Sequence, residues 1–351
     1  MQEVPSRHAD EEHFMESTIQ DVARQAKVSV STVSRSFTRP DLVSERTRAK
    51  VLAIADELNF SISRSATALK SGQSLRVAVL INDHLNTWFN STIMEGFNSV
   101  FLKAGYDISI CQITSGQARR RFFEELPVKR NVDAVIVTSF DIEPVEISRL
   151  ISVNVPIVSL NVTEEDGFMA STRIDDEQGG RLSAEHLMAL GHRRLAYIRS
   201  TPVASLHFSI QARLDGFITA CRSRGIEPTV LAAPADDNPI PQVLTQLMNL
   251  DQRPTGIACQ EDSLAVPLIF QLERCGIKVP GDMSVIGYDD SRFAEDIGLT
   301  TIRQQPYDMA VSLAGKTLEL IEGRELEHPH DLVSPTLVLR SSTAAPGGTS
   351  D

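Results

Sequence analysis

The stretch TIQDVARQAKVSVSTVSRSFTRPDLVSERTRAKVLAIADELNF, residues 18–60, decides the fold class of the N-terminal part of the chain. Its apolar residues recur at helical spacing and predict three short helices, over 19–26, 30–37 and 45–58. A good N-cap residue precedes each helix: Thr18, Ser29 and Ser44. Asp21 lies three residues after Thr18, as in a capping box. Two short helices joined by a tight turn, followed by a longer one, are the layout of a helix-turn-helix DNA-binding domain.

The second predicted helix carries side chains suited to contacts with bases. Val33 and Phe37, four residues apart, are expected to face inward, whereas Ser31 and Arg35, also four apart, project from the opposite side. An arginine can hydrogen-bond guanine O6 and N7 together, and hydroxyl groups suit base edges or phosphates. The alternative is a solvent-exposed helix in a small structural domain.

Charge is divided unevenly along the 351 residues, although the net charge of −12 taken alone argues weakly against a polyanionic partner. Residues 18–75 hold nine basic and five acidic residues, and residues 1–17 hold one basic and five acidic ones. The remainder is acidic. This asymmetry indicates that the basic part binds nucleic acid. We expect residues 1–17 to be a disordered acidic extension.

Several classes of protein are disfavoured by what the sequence lacks. It has no apolar run long enough to cross a bilayer, and its first residues lack the apolar segment of a signal peptide, so we expect a cytoplasmic protein without a membrane partner. The four cysteines lie far apart and suggest neither disulfides nor a metal site. Dinucleotide, phosphate-loop and nucleophile-elbow motifs are missing as well. We therefore expect no cofactor and no enzymatic activity.

The chain from residue 76 onward alternates apolar runs with amphipathic stretches. Strands are predicted at 77–81, 107–111, 133–138, 156–160, 194–200, 229–233, 256–260 and 284–290. Helices are predicted at 90–105, 144–153, 177–190, 206–224, 240–250, 262–275 and 306–322. The alternation predicts two successive α/β lobes, with parallel sheets wrapped by helices and any ligand at the carboxyl ends of the strands.

Motifs along nearly the whole chain resemble those of the LacI/GalR family of bacterial transcription regulators. The patterns T-I-x-D-V-A, V-S-x-x-T-V-S-R and V-S-x-x-T-R-x-x-V all occur within 18–60. Later landmarks are DDEQGGR (175–181), LGHRRLAYI (190–198), RLDGF (213–217), VPGDMSVIGYDD (279–290) and LTTIRQ (299–304). The resemblance implies a small all-α DNA-binding domain followed by a two-lobed effector domain similar to periplasmic sugar-binding proteins.

The resemblance also implies roles for residues of the DNA-binding part, taken as 18–61. Major-groove contacts fall to Val30, Ser31 and Arg35, and phosphate contacts to Thr18, Thr32 and Ser34. Residues 62–75 correspond to a hinge helix and linker, in which Leu69 inserts into a minor-groove base step and Ala66 lies on the same face. A plain flexible linker is the alternative for this segment. Lys27 stands where many family members have Gly or Asn.

The implied effector and dimerisation domain spans 76–340, with a C-terminal tail over 341–351. Its lobes are expected to be joined by crossovers near 161–163, 290 and 324–330. Six residues are expected to contact the effector: Trp88, Phe89, Asn161, Arg213, Asp262 and Asp289. Aromatic side chains cover sugar rings, while arginine and aspartate bind hydroxyl groups. Ordinary packing for Trp88, a structural ion pair for Arg213 and a turn-capping role for Asp289 are the alternatives.

The sequence thus predicts a homodimeric repressor of carbohydrate-related genes that binds a pseudo-palindromic double-stranded operator. A sugar-like effector between the lobes controls this binding, and we expect an inducer, although a corepressor would fit the same geometry. The C-terminal residues have no leucine heptads for a tetramer-forming coiled coil. A solute-binding protein, or an α/β enzyme acting on a sugar or nucleotide, is the alternative function.

Overall fold

The computed structural model describes most of the chain, and its contacts divide it into two compact units, Met1–Ser74 and Leu75–Asp351. The described residues are 17–38, 40–60, 73–81, 84–113, 115–129, 132–140, 142–152, 154–163, 165–201, 208–234 and 238–347. The predicted acidic extension and hinge helix fall largely outside these ranges.

The first unit is here called the headpiece, and its described residues include the three helices predicted within 18–60. They are α1 (Ile19–Ala26), α2 (Val30–Thr38) and α3 (Glu45–Glu57), with a 3-10 turn at Pro40–Leu42. Their apolar faces form one core of buried residues: Val22, Ala23, Ala26, Val33, Val51 and Ala55. Phe37 packs edge-on against Phe60, with ring centroids 6.3 Å apart. This small core stabilises the fold of so short a segment.

The first lobe of the second unit is built on a six-stranded parallel sheet in the order β11-β5-β4-β3-β1-β2. The strands are β1 (Arg76–Ile81), β2 (Asp107–Gln112), β3 (Ala134–Thr138), β4 (Ile157–Leu160), β5 (Ala170–Ile174) and β11 (His330–Val333). The helices are α4 (Trp88–Phe101), α5 (Gly116–Lys129), α6 (Pro144–Ser152) and α12 (Pro306–Ile321). Helices α4 and α12 cover one face of the sheet, and α5 and α6 the other.

The second lobe repeats this plan with the strand order β12-β10-β9-β8-β6-β7, in which only β12 runs antiparallel to its neighbour. The strands are β6 (Leu195–Ser200), β7 (Thr229–Ala233), β8 (Gly256–Cys259), β9 (Ser284–Asp289), β10 (Thr300–Arg303) and β12 (Thr336–Val338). The helices are α7 (Asp176–Ala189), α8 (Phe208–Ser223), α9 (Ile240–Met248), α10 (Asp262–Arg274) and α11 (Arg292–Asp296). Helices α7 and α8 pack on one face, and α9 and α10 on the other.

The predicted positions of the three crossovers are wrong. The chain leaves the first lobe between β5 and α7, at Asp175, rather than near 161–163. It returns between β10 and α12, at Gln304 and Gln305, and crosses again between β11 and β12. For the first two crossovers the reason is that β5 and β10 each add one more strand to a sheet before the chain changes lobe. Their sequences, ASTRI and TTIR, are too polar to stand out as buried strands.

The C-terminal tail predicted from residue 341 is also corrected, because the chain up to 347 belongs to the second lobe. Ser342 is buried, its hydroxyl donates to the carbonyl of Val285 at 2.6 Å and it accepts from the amide of Thr300 at 2.8 Å. The carbonyl of Ala344 accepts from the ring of His192 at 2.9 Å. Within the described residues, no helix is long and apolar enough to cross a membrane.

Candidate functional site

Helix α1 begins with the predicted capping box. The hydroxyl of Thr18 lies 2.6 Å from the Asp21 carboxylate and accepts from the Asp21 amide at 3.4 Å, while the Thr18 amide donates back to the carboxylate at 3.0 Å. These bonds to Thr18 hold the pKa of Asp21 below its usual value. The structure therefore engages Thr18 as a helix cap, and a phosphate contact by its hydroxyl would require giving up the bond to Asp21.

The turn between α1 and α2 contains Lys27 in the left-handed conformation, with φ 54° and ψ 45°. Its amide caps the helix by donating toward the carbonyls of Ala23 and Arg24. A residue with a Cβ atom costs about 1 kcal/mol or more in this conformation, and glycine avoids that cost. The tight turn therefore forms in spite of the lysine, and Ser29, the N-cap of α2, follows it directly.

Ser29 forms that N-cap, because its hydroxyl accepts from the Thr32 amide at 3.1 Å. The same oxygen lies 2.8 Å from the hydroxyl of Ser31 and 2.8 Å from that of Thr32. Three hydroxyl groups therefore meet at the start of the helix.

The remaining side chains of α2 divide as the sequence predicted. Val33 is fully buried in the headpiece core, whereas Ser31 and Arg35 are exposed. Val30 is 43% exposed, and Ser34 is half-buried. The Arg35 guanidinium makes no hydrogen bond or ion pair with any residue that the structure describes, so it is available to a ligand.

The remaining two predicted DNA contacts, Ala66 and Leu69, lie outside the described residues.

In the second lobe, Arg213 lies at the centre of a buried polar cluster with only 6% of its surface exposed. Its Nε donates to Asp176 Oδ1 at 2.6 Å and its Nη1 donates to the carbonyl of Gln260 at 3.1 Å. The guanidinium stacks 3.9 Å above the ring centre of Tyr288, whose hydroxyl donates to the same Asp176 oxygen at 2.9 Å. Burial alone would lower the pKa of Arg213, but Asp176, Tyr288 and Asp289 together raise it above its usual value and keep the guanidinium charged.

Asp289, at the end of β9, faces the same arginine. Its Oδ1 lies 3.9 Å from Arg213 Nη1 and accepts from Gln304 Nε2 at 2.6 Å. Burial raises the pKa of Asp289 well above its usual value, and the charge of Asp262 adds to the effect. The residue has a positive φ of 123°, so its backbone is strained at this point.

Gln304 was missed by the sequence analysis, although it lies at a crossover and is 95% buried. Its Oε1 has no hydrogen-bond partner among the described residues. A buried amide oxygen without a donor is costly, which makes this atom a candidate for a ligand hydroxyl. Its place at the end of a short polar strand gave no signal in the sequence.

Asp262 does not fit the role of a free acceptor for sugar hydroxyls that the sequence suggested. One carboxylate oxygen accepts from the Ser291 amide and the other from the Thr301 hydroxyl, both at 2.8 Å. The side chain is 99% buried, and burial raises its pKa to about 6. The two hydrogen bonds of Asp262 therefore link the end of β9 to β10, and this link positions Asp289 and Gln304.

The three remaining predicted residues belong to the first lobe. Asn161 follows β4 with a positive φ of 56°, is buried, and accepts from the amide of Ile174 at 3.3 Å, just before the first crossover. Trp88 and Phe89 open α4 and are both half-buried, and Phe89 packs against the lobe core. All three follow the carboxyl ends of parallel strands, where open α/β sheets bind ligands.

Two family models match the chain, one in each unit. The family model described as "Bacterial regulatory proteins, lacI family" matches residues 18–63, and the model "Periplasmic binding protein-like domain" matches residues 184–343. The chain belongs to the LacI family. It is accordingly a DNA-binding transcriptional regulator rather than an enzyme.

Similar proteins include two transcriptional repressors. The HTH-type transcriptional repressor PurR of Vibrio parahaemolyticus is 29% identical over 336 residues, covering 93% of this chain and 98% of its own. PurR of Photobacterium profundum is 28% identical over 332 residues, with the same coverage.

Solved structures of LacI-family proteins show the same architecture. The lac repressor dimer bound to operator and the anti-inducer ONPF has a TM-score of 0.78 at 28% identity, over 94% of this chain and 99% of that one. A LacI-family regulator from Enterococcus faecium with bound ribose has a TM-score of 0.68 at 28% identity, over 77% of this chain and 99% of that one.

Proposed function

We propose that this LacI-family protein is a repressor that binds a pseudo-palindromic operator as a homodimer and changes its affinity when a sugar-like effector binds between the lobes. The observation that carries the DNA-binding part is the exposed face of α2. That face presents Val30, Ser31 and Arg35, which has no partner among the described residues, from a helix fixed by its N-cap and its buried Val33. Similarity to the lac repressor dimer bound to operator supports the dimer and the DNA partner.

Within this proposal, Val30, Ser31 and Arg35 contact bases, while Thr32 and Ser34 contact phosphates. Residues 62–75 form the hinge, with Ala66 and Leu69 in the minor groove. The basic segment 18–75, with nine basic and five acidic residues, binds weakly alone, so two copies on one operator supply the affinity and the specificity.

The effector part rests on the cluster around Arg213. Asp289 and Gln304 offer oxygen acceptors there, and the Gln304 Oε1 lacks a donor among the described residues. Sugar hydroxyls supply the donors that such a cluster needs. The ribose bound to the Enterococcus faecium relative supports a carbohydrate.

A gel-shift titration of full-length protein on DNA from upstream of its own gene tests the operator proposal. We expect salt-sensitive, sequence-selective binding that Arg35→Ala abolishes or relaxes without affecting dimerisation. Arg46→Ala, which removes an exposed charge from α3, is the matched control and should keep the sequence preference. Unchanged operator affinity in Arg35→Ala would show that α2 is not the recognition helix.

Thermal unfolding of the full-length protein in the presence of sugars, sugar acids or nucleobases tests the effector. A ligand that binds the folded state at 100 times its Kd raises the unfolding free energy by about 2.7 kcal/mol. We expect this with a sugar, and Asp289→Asn should abolish it. Stabilisation by a nucleobase alone would exclude the carbohydrate proposal while leaving the DNA-binding part intact.

A further inference from the structure

The geometry of the three hydroxyl groups at the start of α2 limits which of them can donate a hydrogen bond and which can accept one. A serine hydroxyl has one proton to donate and two lone pairs to accept. One lone pair of Ser29 is taken by the Thr32 amide at 3.1 Å. Its remaining lone pair and its proton serve the hydroxyls of Ser31 and Thr32, both at 2.8 Å. One of these two neighbours therefore donates to Ser29, and the other accepts from it.

Contact with DNA determines which of the two neighbours, Ser31 or Thr32, donates to Ser29. This step rests on the proposed function, in which Thr32 contacts a phosphate. Phosphate oxygens only accept at neutral pH, so the Thr32 hydroxyl must give its proton to the phosphate. Thr32 then accepts the proton of Ser29. The free lone pair of Ser29 is left for Ser31, whose proton points back toward Ser29.

We propose that this arrangement makes Ser31 a hydrogen-bond acceptor only, so that it selects a base with an exocyclic amine. In the major groove, the N4 amine of cytosine and the N6 amine of adenine are donors. Guanine O6 and thymine O4 are acceptors and would meet Ser31 oxygen to oxygen. Ser29 does not touch the base in this proposal, and it acts as a positioning residue through Ser31.

The helix cap keeps the arrangement in place. Turning the Ser29 hydroxyl away from its neighbours would also break its bond to the Thr32 amide and leave that amide uncapped. Ser29 and Ser31 are exposed in the free headpiece, where water competes for their protons. Contact with DNA excludes that water, so the restriction takes effect in the complex.

Selection of operator sequences from randomised duplexes with the full-length protein provides the test. The base pair at which Ser31→Ala loses its preference identifies the contact. There we expect the wild type to favour cytosine or adenine about tenfold over guanine or thymine. Replacing that adenine with 2-aminopurine, or that cytosine with 2-pyrimidinone, removes the amine from the major groove and should cost the same factor.

Variants of Ser29 distinguish its effect on the Ser31 hydroxyl from its role as the N-cap of α2. In Ser29→Ala the Ser31 hydroxyl is free to turn, so the tenfold discrimination at its base pair should fall toward one, while the preference set by Arg35 is kept. Ser29→Thr should restore the discrimination. A residue that only capped the helix would lower affinity for every sequence equally. If Ser29→Ala folds poorly, Thr32→Val provides the same test. This variant keeps the cap and should reduce the discrimination between bases at the same base pair.

The outcomes distinguish this proposal from the proposed function. A preference for guanine or thymine at the Ser31 base pair overturns it, as does full discrimination in both Ser29→Ala and Thr32→Val. If selection succeeds but Ser31→Ala changes no base preference, the regulator function stands and this proposal falls. If the protein selects no sequence at all, the function itself fails.

Discussion

Replacing Gly180 with alanine should destabilise the second lobe severely, because α7 and α8 touch backbone to backbone at this point. A Cβ atom at Gly180 would lie far inside 3.0 Å of the Arg213 carbonyl oxygen, and one at Gly216 would meet the Glu177 carbonyl in the same way. The two glycines therefore set the distance between the helices. Relieving the clash requires a separation of about 1 Å in an interior that is otherwise close-packed.

The expected loss follows from what lies along this contact. Leu187 on α7 and Leu214 and Phe217 on α8 belong to one buried cluster, and a gap of this size forfeits a quarter to a half of each dispersion contact. Overpacking costs about 1–3 kcal/mol, and a clash with backbone atoms belongs at the upper end of about 3 kcal/mol, while alanine returns about 1 kcal/mol of helix propensity. We expect Gly180→Ala to lower the free energy of unfolding by about 2 kcal/mol.

The matched control is Gly315→Ala in α12, where a Cβ atom would have nothing within 4 Å. There only the propensity gain applies, so stability should rise by up to about 1 kcal/mol. Urea denaturation of full-length variants, followed by far-UV circular dichroism, measures both. A Gly180→Ala variant as stable as Gly315→Ala would refute the argument that the glycine sets the helix distance.

Three further predictions concern other parts of the chain. Thr18→Ala removes the capping box and should cost the headpiece about 1 kcal/mol in thermal unfolding; an unchanged headpiece would show that the cap contributes nothing. Burial lowers the pKa of His186 and His192, so these two imidazoles bind fewer protons in the folded state and their contribution to stability should fall as the pH drops below about 6.5. Urea midpoints of the wild type and of a double variant lacking both imidazoles check this at several pH values, and the same pH dependence in both proteins would contradict it. Asp176→Asn leaves Arg213 buried without its partner and should cost about 3–5 kcal/mol in urea denaturation, whereas a loss under 1 kcal/mol would mean that Asp289 suffices.

The sequence predicted the headpiece almost to the residue because each of its helices begins with a strong local signal. Thr18, Ser29 and Ser44 all cap helices as expected, and the inward face of α2 holds Val33. The eight strongly apolar strands were likewise located. Local patterns suffice where capping and burial depend on residues close in sequence.

Prediction failed where the position of a strand or side chain depends on residues that are far away in the sequence. The polar strands β5 and β10 are strands because neighbouring strands pair with them, and missing them displaced the crossovers. Helix α5 begins GQARRRFF, in which three successive arginines hide the helical periodicity. Only the fold shows that Asp176 pairs with Arg213 across 37 positions and that Asp262 has both carboxylate oxygens engaged.

The crossovers have a consequence for synthesis on the ribosome. The first lobe needs α12, whose Met309, Ala310 and Leu313 cover the same face of its sheet as Phe97 and Phe101. That helix is translated only after the whole second lobe up to β10, and at about 5–20 residues per second the delay is on the order of ten seconds or more. The nascent first lobe leaves the part of this apolar face that α12 covers exposed for that time, so chaperone dependence and co-translational misfolding should concentrate there.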